Sequence, residues 1–124
     1  MKSNHFSFED LEVWQKSIEF ADEAIQIIDE LNTDRKHYRL IEQLESSVTS
    51  IAMNIAEGKG RFSKKEFTQY LYIARGSLFE TITLIEIFKH RNWINDNQYN
   101  VIRKKGDEIG KMISGLITSI KKTY

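Results

Sequence analysis

The sequence predicts an all-α protein, an antiparallel up-down four-helix bundle. Apolar residues recur at steps of three and four along four long segments, which is the spacing of helices that pack along one face. The chain has no proline and only six glycines among 124 residues, so few residues interrupt a helix. No segment of useful length alternates with the period of two that indicates a strand. We therefore expect one domain over residues 1–124, with helices at about 8–31, 35–57, 63–91 and 95–121. The short loops between them require neighbouring helices to run in opposite directions.

Helix 1 carries two apolar rows. The first, at steps of three and four, is predicted to face the core and comprises Leu11, Trp14, Ile18, Ala21, Ile25 and Ile28. The second repeats every seven residues and comprises Val13, Phe20 and Ile27. A bundle requires one such row from each helix, so the surplus row predicts contact with another subunit, and a broad core face is the alternative. The candidate interface residues on this helix are Val13, Trp14, Phe20 and Ile27.

Helix 2 has a continuous apolar row and a glycine near its end. The row comprises Tyr38, Ile41, Leu44, Val48, Ile51 and Ile55, after the cap candidates Asn32, Thr33 and Asp34. Gly58 suits the left-handed conformation that commonly ends a helix, so we expect helix 2 to end there.

Helices 3 and 4 each begin with a capping box, Ser63 with Glu66 and Asn95 with Gln98. The apolar row of helix 3 comprises Phe67, Tyr70, Ala74, Ser77, Thr81, Leu84 and Phe88, beside a second series of Leu71, Leu78 and Ile85. The row of helix 4 comprises Tyr99, Ile102, Ile109, Ile113, Leu116 and Ile120. Gly106, Gly110 and Gly115 are expected to make helix 4 less stable than the others.

Charge is distributed unevenly although the net charge is zero. Residues 1–34 contain nine acids and two bases, whereas the remainder contains sixteen bases and nine acids. This asymmetry can steer partners, including other copies of the chain. The alternative is that the acidic helix lies against basic helices of the same bundle.

Two short basic clusters are candidates for contact with RNA or DNA. One surrounds the loop between helices 2 and 3, and the other lies early in helix 4; their members are Lys59, Arg61, Lys64 and Lys65, and Arg103, Lys104 and Lys105. Cations near a helix start can bind phosphate. The alternative for the loop is a solvated cluster in which Arg61 pairs with Glu57 or Glu66.

Arg75 and Glu80 are charged residues within the largely apolar helix 3. They predict either a pocket or a salt bridge, and the salt bridge can form within one chain or between two chains. Both residues therefore join the candidate oligomer interface.

Several kinds of site are not expected. The chain has no cysteine, which excludes disulfides, thiolate metal sites and cysteine nucleophiles and fits a cytoplasmic protein. His5, His37 and His90 lack metal-ligand spacing, so we expect neither a metal site nor a cofactor, and we expect no enzymatic activity. No apolar run approaches the length of a membrane span or of a signal peptide.

Three sequence stretches carry a resemblance that covers nearly the whole chain. They are Leu11–Ser17 (LEVWQKS), Asn54–Arg61 (NIAEGKGR) and Ile73–Leu78 (IARGSL). Together they resemble the four-helix-bundle family of proteins encoded in intervening sequences of bacterial 23S ribosomal RNA genes. The accessory variability proteins of diversity-generating retroelements are similar at greater distance. The resemblance implies a homo-oligomer, a pentamer in characterised members, with no established enzymatic activity and with a nucleic-acid role. Together with the surplus apolar row and the uneven charge, it predicts a non-enzymatic interaction or scaffold module that is accessory to a protein or ribonucleoprotein. The zero net charge departs from the basic surface of some members.

Overall fold

The fold is all-α, as predicted. A computed structural model describes residues 5–34 and 37–124, and within these ranges it contains four α-helices and one short 3-10 helix but no strand. The 3-10 helix spans Ser7–Asp10, α1 spans Glu12–Asp29, α2 spans Tyr38–Lys59, α3 spans Lys64–His90 and α4 spans Asp96–Lys121. The predicted start of the second helix at Arg35 lies outside the described residues.

Contacts between neighbouring helices run in opposite sequence directions. Between α3 and α4, the Thr68 hydroxyl lies 2.9 Å from that of Tyr124, whereas Glu86 bonds Arg103. The same reversal relates α1 to α4 and α2 to α3, through contacts of Lys16 with Glu108, Glu23 with Lys105, Ser47 with Thr81 and Ser50 with Ser77. Each of these pairs of helices is therefore antiparallel. The contacts with α4 also place the acidic helix α1 against a basic helix of the same chain, as one alternative predicted.

The caps of α3 and α4 largely form as predicted, whereas α2 begins after His37 and not after one of the cap candidates Asn32, Thr33 and Asp34. The Asn95 side chain accepts from the backbone N–H of Gln98, and the Gln98 side chain accepts from that of Asn95, both at 2.8 Å. The Ser63 hydroxyl accepts from the backbone N–H of Glu66 at 3.1 Å. The Glu66 carboxylate accepts a hydrogen bond from the Ser63 hydroxyl and not from the backbone N–H of Ser63. The start of the first helix differs from the prediction, because Leu11 is extended and separates the 3-10 helix from α1.

The prediction for the second apolar row of α1 is corrected by the structure. Val13, Phe20 and Ile27 are 4, 0 and 5 % exposed and lie in the core of the single chain, so they cannot contact another subunit. Ile18 and Ile25 from the predicted core row are instead 45 and 36 % exposed. The broad core face was the better alternative for the three buried residues.

The residues that lie between the members of each row explain which row is buried. Ser17 and Ala24 separate the buried residues, and both are small enough to lie inside the bundle. Asp22 lies between Ile18 and Ile25 on the same side of the helix. Burying that row would remove a carboxylate from water without a partner, which is costly.

Gly58 does not end its helix in the left-handed conformation, so this expectation was wrong. Among the described residues no glycine has a positive φ, and α2 continues to Lys59. Gly58 is buried against α3, where an added Cβ would lie 2.6 Å from the Cβ of Tyr70. The glycine is therefore required by the close approach of the two helices.

Candidate interaction surfaces

Helix α3 is apolar on two sides. Its inward side packs into the core through Leu71, Ala74, Leu78, Leu84, Ile85 and Phe88. Its outward side exposes four large apolar residues, Tyr72, Ile73, Phe79 and Ile87, whose exposed fractions are 41, 52, 59 and 40 %. Helices that are apolar around most of their surface are usually covered on most of it. The outward side of α3 is therefore the strongest candidate for contact with a partner.

A groove of about 660 Å³ lies between α3 and α4 beside this apolar side. Leu78, Ile82, Gly106 and Gly110 are among its lining residues. A Cβ at Gly106 would lie 2.7 Å from Ile82 Cδ1, and one at Gly110 would lie 3.3 Å from Leu78 Cδ2. A Cβ at either position would therefore meet the end of a flexible α3 side chain rather than the backbone.

Arg75 lies at this groove between aromatic rings. Its guanidinium carbon is 5.0 Å from the centroid of Tyr72 and 5.9 Å from that of Phe79, and Nη1 donates to the Ser114 hydroxyl at 3.2 Å. Across residues 5–34 and 37–124, Arg75 forms no ion pair, and the predicted intrachain pair with exposed Glu80 is absent. Arg75 is thus a half-exposed cation held by rings and a hydroxyl rather than by a carboxylate.

Arg103 is held in a polar cluster that also lines the groove. Its Nη1 donates to Glu86 Oε1 at 2.8 Å, and Nη2 lies 3.7 Å from Asp107 Oδ1. The Tyr99 hydroxyl donates to the same Glu86 oxygen, which lowers the pKa of Glu86 and raises that of Tyr99. The Arg103 charge further favours ionised Glu86. Two carboxylates therefore already compensate the charge of Arg103.

The two predicted basic clusters do not form one surface. Tyr124 at the end of the chain contacts Thr68 near the loop cluster, whereas Arg103 lies roughly 30 Å away along α4. Lys105 pairs with Glu23 at 2.5 Å, and Lys104 is exposed. Within the described part of the chain, Lys104 is therefore the one cation of the helix 4 cluster that forms no ion pair.

The loop cluster is more open. Arg61 pairs with Glu57 at 3.1 Å, which is one of the two partners that the solvated-loop alternative predicted. Arg61 also donates to the Tyr70 hydroxyl. Lys59, Lys64 and Lys65 are exposed. The end of α4 lies at the same end of the bundle, because Tyr124 contacts Thr68 and Lys121 contacts Tyr72, so Lys121 and Lys122 add two lysines to this end.

The remaining interface candidate on α1, Trp14, is half-buried with its ring 5.2 Å from that of Phe8. Sequence reasoning missed the outward residues of α3 and the exposed Ile18 and Ile25. A signal for α3 was available, because Tyr72, Ile73, Phe79 and Ile87 belong to neither of the two apolar series assigned to that helix.

Two further properties concern the described residues. No group of three or more histidine, aspartate or glutamate side chains in them could hold a metal ion. None of their helices combines the length and the apolar character needed to cross a membrane.

Comparisons with known proteins identify the family. The family model described as "23S rRNA-intervening sequence protein" matches residues 9–115. A solved structure from Bacteroides thetaiotaomicron, described as a protein of unknown function from the S23 ribosomal protein family, is 30% identical with a TM-score of 0.79. The match covers 85% of this chain and 97% of that one. A search of curated proteins found no match. Neither description names an enzymatic activity. The chain therefore belongs to the family of 23S rRNA-intervening sequence proteins.

Proposed function

We propose that the protein is a non-enzymatic, homo-oligomeric interaction module that serves a ribonucleoprotein as an accessory factor. The observation that carries this proposal is the outward side of α3, where Tyr72, Ile73, Phe79 and Ile87 are all at least 40 % exposed. Large apolar residues exposed on one side of a helix favour a contact site with another protein. The ribosomal part of the proposal comes from the descriptions of the family and of its structural relative.

The charges of the helices favour a second copy of the chain as the partner. Helices α1 and α2 contain eight acids and three bases, whereas α3 and α4 contain nine bases and six acids. Part of this charge is paired within the chain, where Lys16 and Glu23 of α1 contact Glu108 and Lys105 of α4, and the charge that remains exposed can steer copies of one chain together. The absence of cysteine places no requirement for an oxidising compartment on the assembly, and we propose that it acts in the cytoplasm.

Multi-angle light scattering on the purified protein tests the oligomer. We expect a mass that is a multiple of the 14.6 kDa chain, with a pentamer as the proposed state. Phe79→Asp should lower the mass, because it places a charge on the outward side of α3. Phe62→Asp is the matched control, because Phe62 is fully exposed in the loop before α3. A strict monomer at micromolar concentration would refute the proposed oligomer.

Nucleic-acid binding through the loop cluster is the second candidate function. Its support is the exposure of Lys59, Lys64 and Lys65 and the arrival of Lys121 and Lys122 at the same end. Phosphate contacts of this number give affinity without sequence specificity, and the affinity falls steeply with salt.

Fluorescence anisotropy with labelled RNA and DNA at increasing salt tests this second candidate. Neutralising Lys59, Arg61, Lys64 and Lys65 should abolish the salt-dependent binding. Neutralising Lys104 is the control, since it removes an exposed cation at the distant cluster. Absence of binding at low salt would eliminate the candidate.

A further inference from the structure

Two exposed stripes on different helices have matching spacing. We define the α3 stripe as Tyr72, Gly76 and Phe79, and the α1 stripe as Ile18, Asp22 and Ile25. In each stripe the residues are separated by four and then by three positions, so each stripe lies along one side of its helix. All six residues are exposed. The outer residues of each stripe lie about 10 Å apart along the helix axis.

Gly76 has no function within its own chain that the structure reveals. It lies in the interior of α3, where glycine costs up to about 1 kcal/mol relative to alanine. Its φ is not positive, and an added Cβ would meet nothing within 4 Å. Gly58 and Gly106, in contrast, each accommodate a neighbour that a Cβ would clash with. A bare backbone between exposed Tyr72 and Phe79 is suited to close approach by a helix from outside the chain.

Two cations flank the α3 stripe, with the exposed carboxylate of Glu80 one turn after Gly76, and a carboxylate lies in the α1 stripe. Arg75 stands beside the α3 stripe, 5.0 Å from the Tyr72 centroid, and has no carboxylate partner in the described part of its chain. Lys121 also approaches Tyr72, with Nζ 3.3 Å from the hydroxyl. The α1 stripe offers Asp22, an exposed carboxylate that forms no ion pair with any residue of the described ranges.

From these features we infer that the α1 stripe of one copy docks on the α3 stripe of another. Asp22 lies over Gly76 and pairs with Arg75 of the second copy, while Ile18 and Ile25 pack beside Tyr72 and Phe79. The contact is heterologous, because it joins two different surfaces, and it leaves the first copy with a free α3 stripe and the second with a free α1 stripe for further copies. This inference rests on the proposed homo-oligomer and specifies how its subunits meet.

A charge exchange tests the pairing. Asp22→Arg and Arg75→Asp are made singly and together in the full-length chain, and dissociation is measured by sedimentation velocity over a dilution series. Each single variant should weaken association at least about tenfold, since it places like charges opposite each other. The double variant should recover most of the lost affinity, because the pair is restored with its signs reversed. Glu19→Arg is the matched control, since it makes the same charge change on α1 outside the stripe.

Gly76→Gln provides a second, independent measurement. Within one chain the substitution has open space and improves helix propensity, so the stability of the dissociated chain, measured at low protein concentration, should not fall. Association should nevertheless weaken, because the side chain blocks close approach. Gly115→Gln is the control, since a Cβ at Gly115 also meets nothing within 4 Å.

The outcomes separate this inference from the proposed function. A monomeric wild-type protein would overturn both. An oligomeric wild type whose association is unchanged by Asp22→Arg and Arg75→Asp, or is not recovered by the double variant, would overturn the docking inference alone. Unchanged association of Gly76→Gln would also overturn it.

Discussion

Replacing Gly58 with alanine tests the close approach of α2 to α3. Alanine favours a helix interior by up to about 1 kcal/mol over glycine. The added Cβ would lie 2.6 Å from Tyr70 Cβ and 3.0 Å from Phe67 Cδ1. Tyr70 Cβ is attached directly to the backbone, so relief of the clash requires α3 to move. Overpacking of this kind costs about 1–3 kcal/mol, and we expect the upper value because the contact is rigid.

The net expected loss is about 2 kcal/mol in the free energy of unfolding, or roughly 8 °C in Tm for a chain of this length. Urea unfolding followed by circular dichroism at fixed protein concentration measures it, because oligomerisation would otherwise shift the apparent stability. Gly115→Ala is the matched control and should gain up to about 1 kcal/mol, because its Cβ meets open space. A Gly58→Ala protein as stable as the wild type would refute the reasoning.

Three further changes test the core, the polar cluster and a cap. Phe20→Ala should cost about 3–5 kcal/mol by urea unfolding, whereas Ile18→Ala should cost far less, because Phe20 is fully buried and Ile18 is 45 % exposed; equal losses would contradict the assigned core side of α1. Glu86 has a pKa lowered from 4.5 chiefly by the Tyr99 hydroxyl, so its stabilisation is present above pH 4.5 and is lost as pH falls through the lower, folded pKa. The stability difference between wild type and Tyr99→Phe, from urea titrations between pH 7 and pH 3, should therefore shrink on acidification, and a constant difference would count against this linkage. Ser63→Ala should lower the stability by about 1 kcal/mol through loss of the α3 cap, measured by thermal unfolding; an unchanged Tm would show that the cap contributes nothing.

Local features were the most predictable part of this protein. The cap of α4 followed from Asn95 and Gln98 alone, because a capping box depends on residues three positions apart. The core row of α2 followed from its spacing, and within it only Tyr38, in the first turn of the helix, is largely exposed. Periodicity sufficed there because α2 has a single strong apolar row.

The candidate surfaces were less predictable. The pairing of Arg61 with Glu57 was one of two pairings predicted from the sequence, because the two residues lie one helical turn apart. The neutralisation of Arg103 by Glu86 was missed, because the partner comes from another helix, seventeen positions away in the sequence. The distance between the two basic clusters likewise depends on how the helices pack, which their sequences do not indicate.

The sequence by itself determined four helices, most of their ends and the family, because these depend on periodic spacing, local caps and contiguous motifs. Periodicity alone did not decide which row of α1 is buried, because both rows have helical spacing. The structure shows that the row with Ser17 and Ala24 lies in the core and that the row with Asp22 is partly exposed. Only the tertiary structure gave Gly58 and Gly76 opposite surroundings, one pressed against α3 and the other open to solvent. A glycine has no side chain to indicate its neighbour, so its role depends on which helix packs against it.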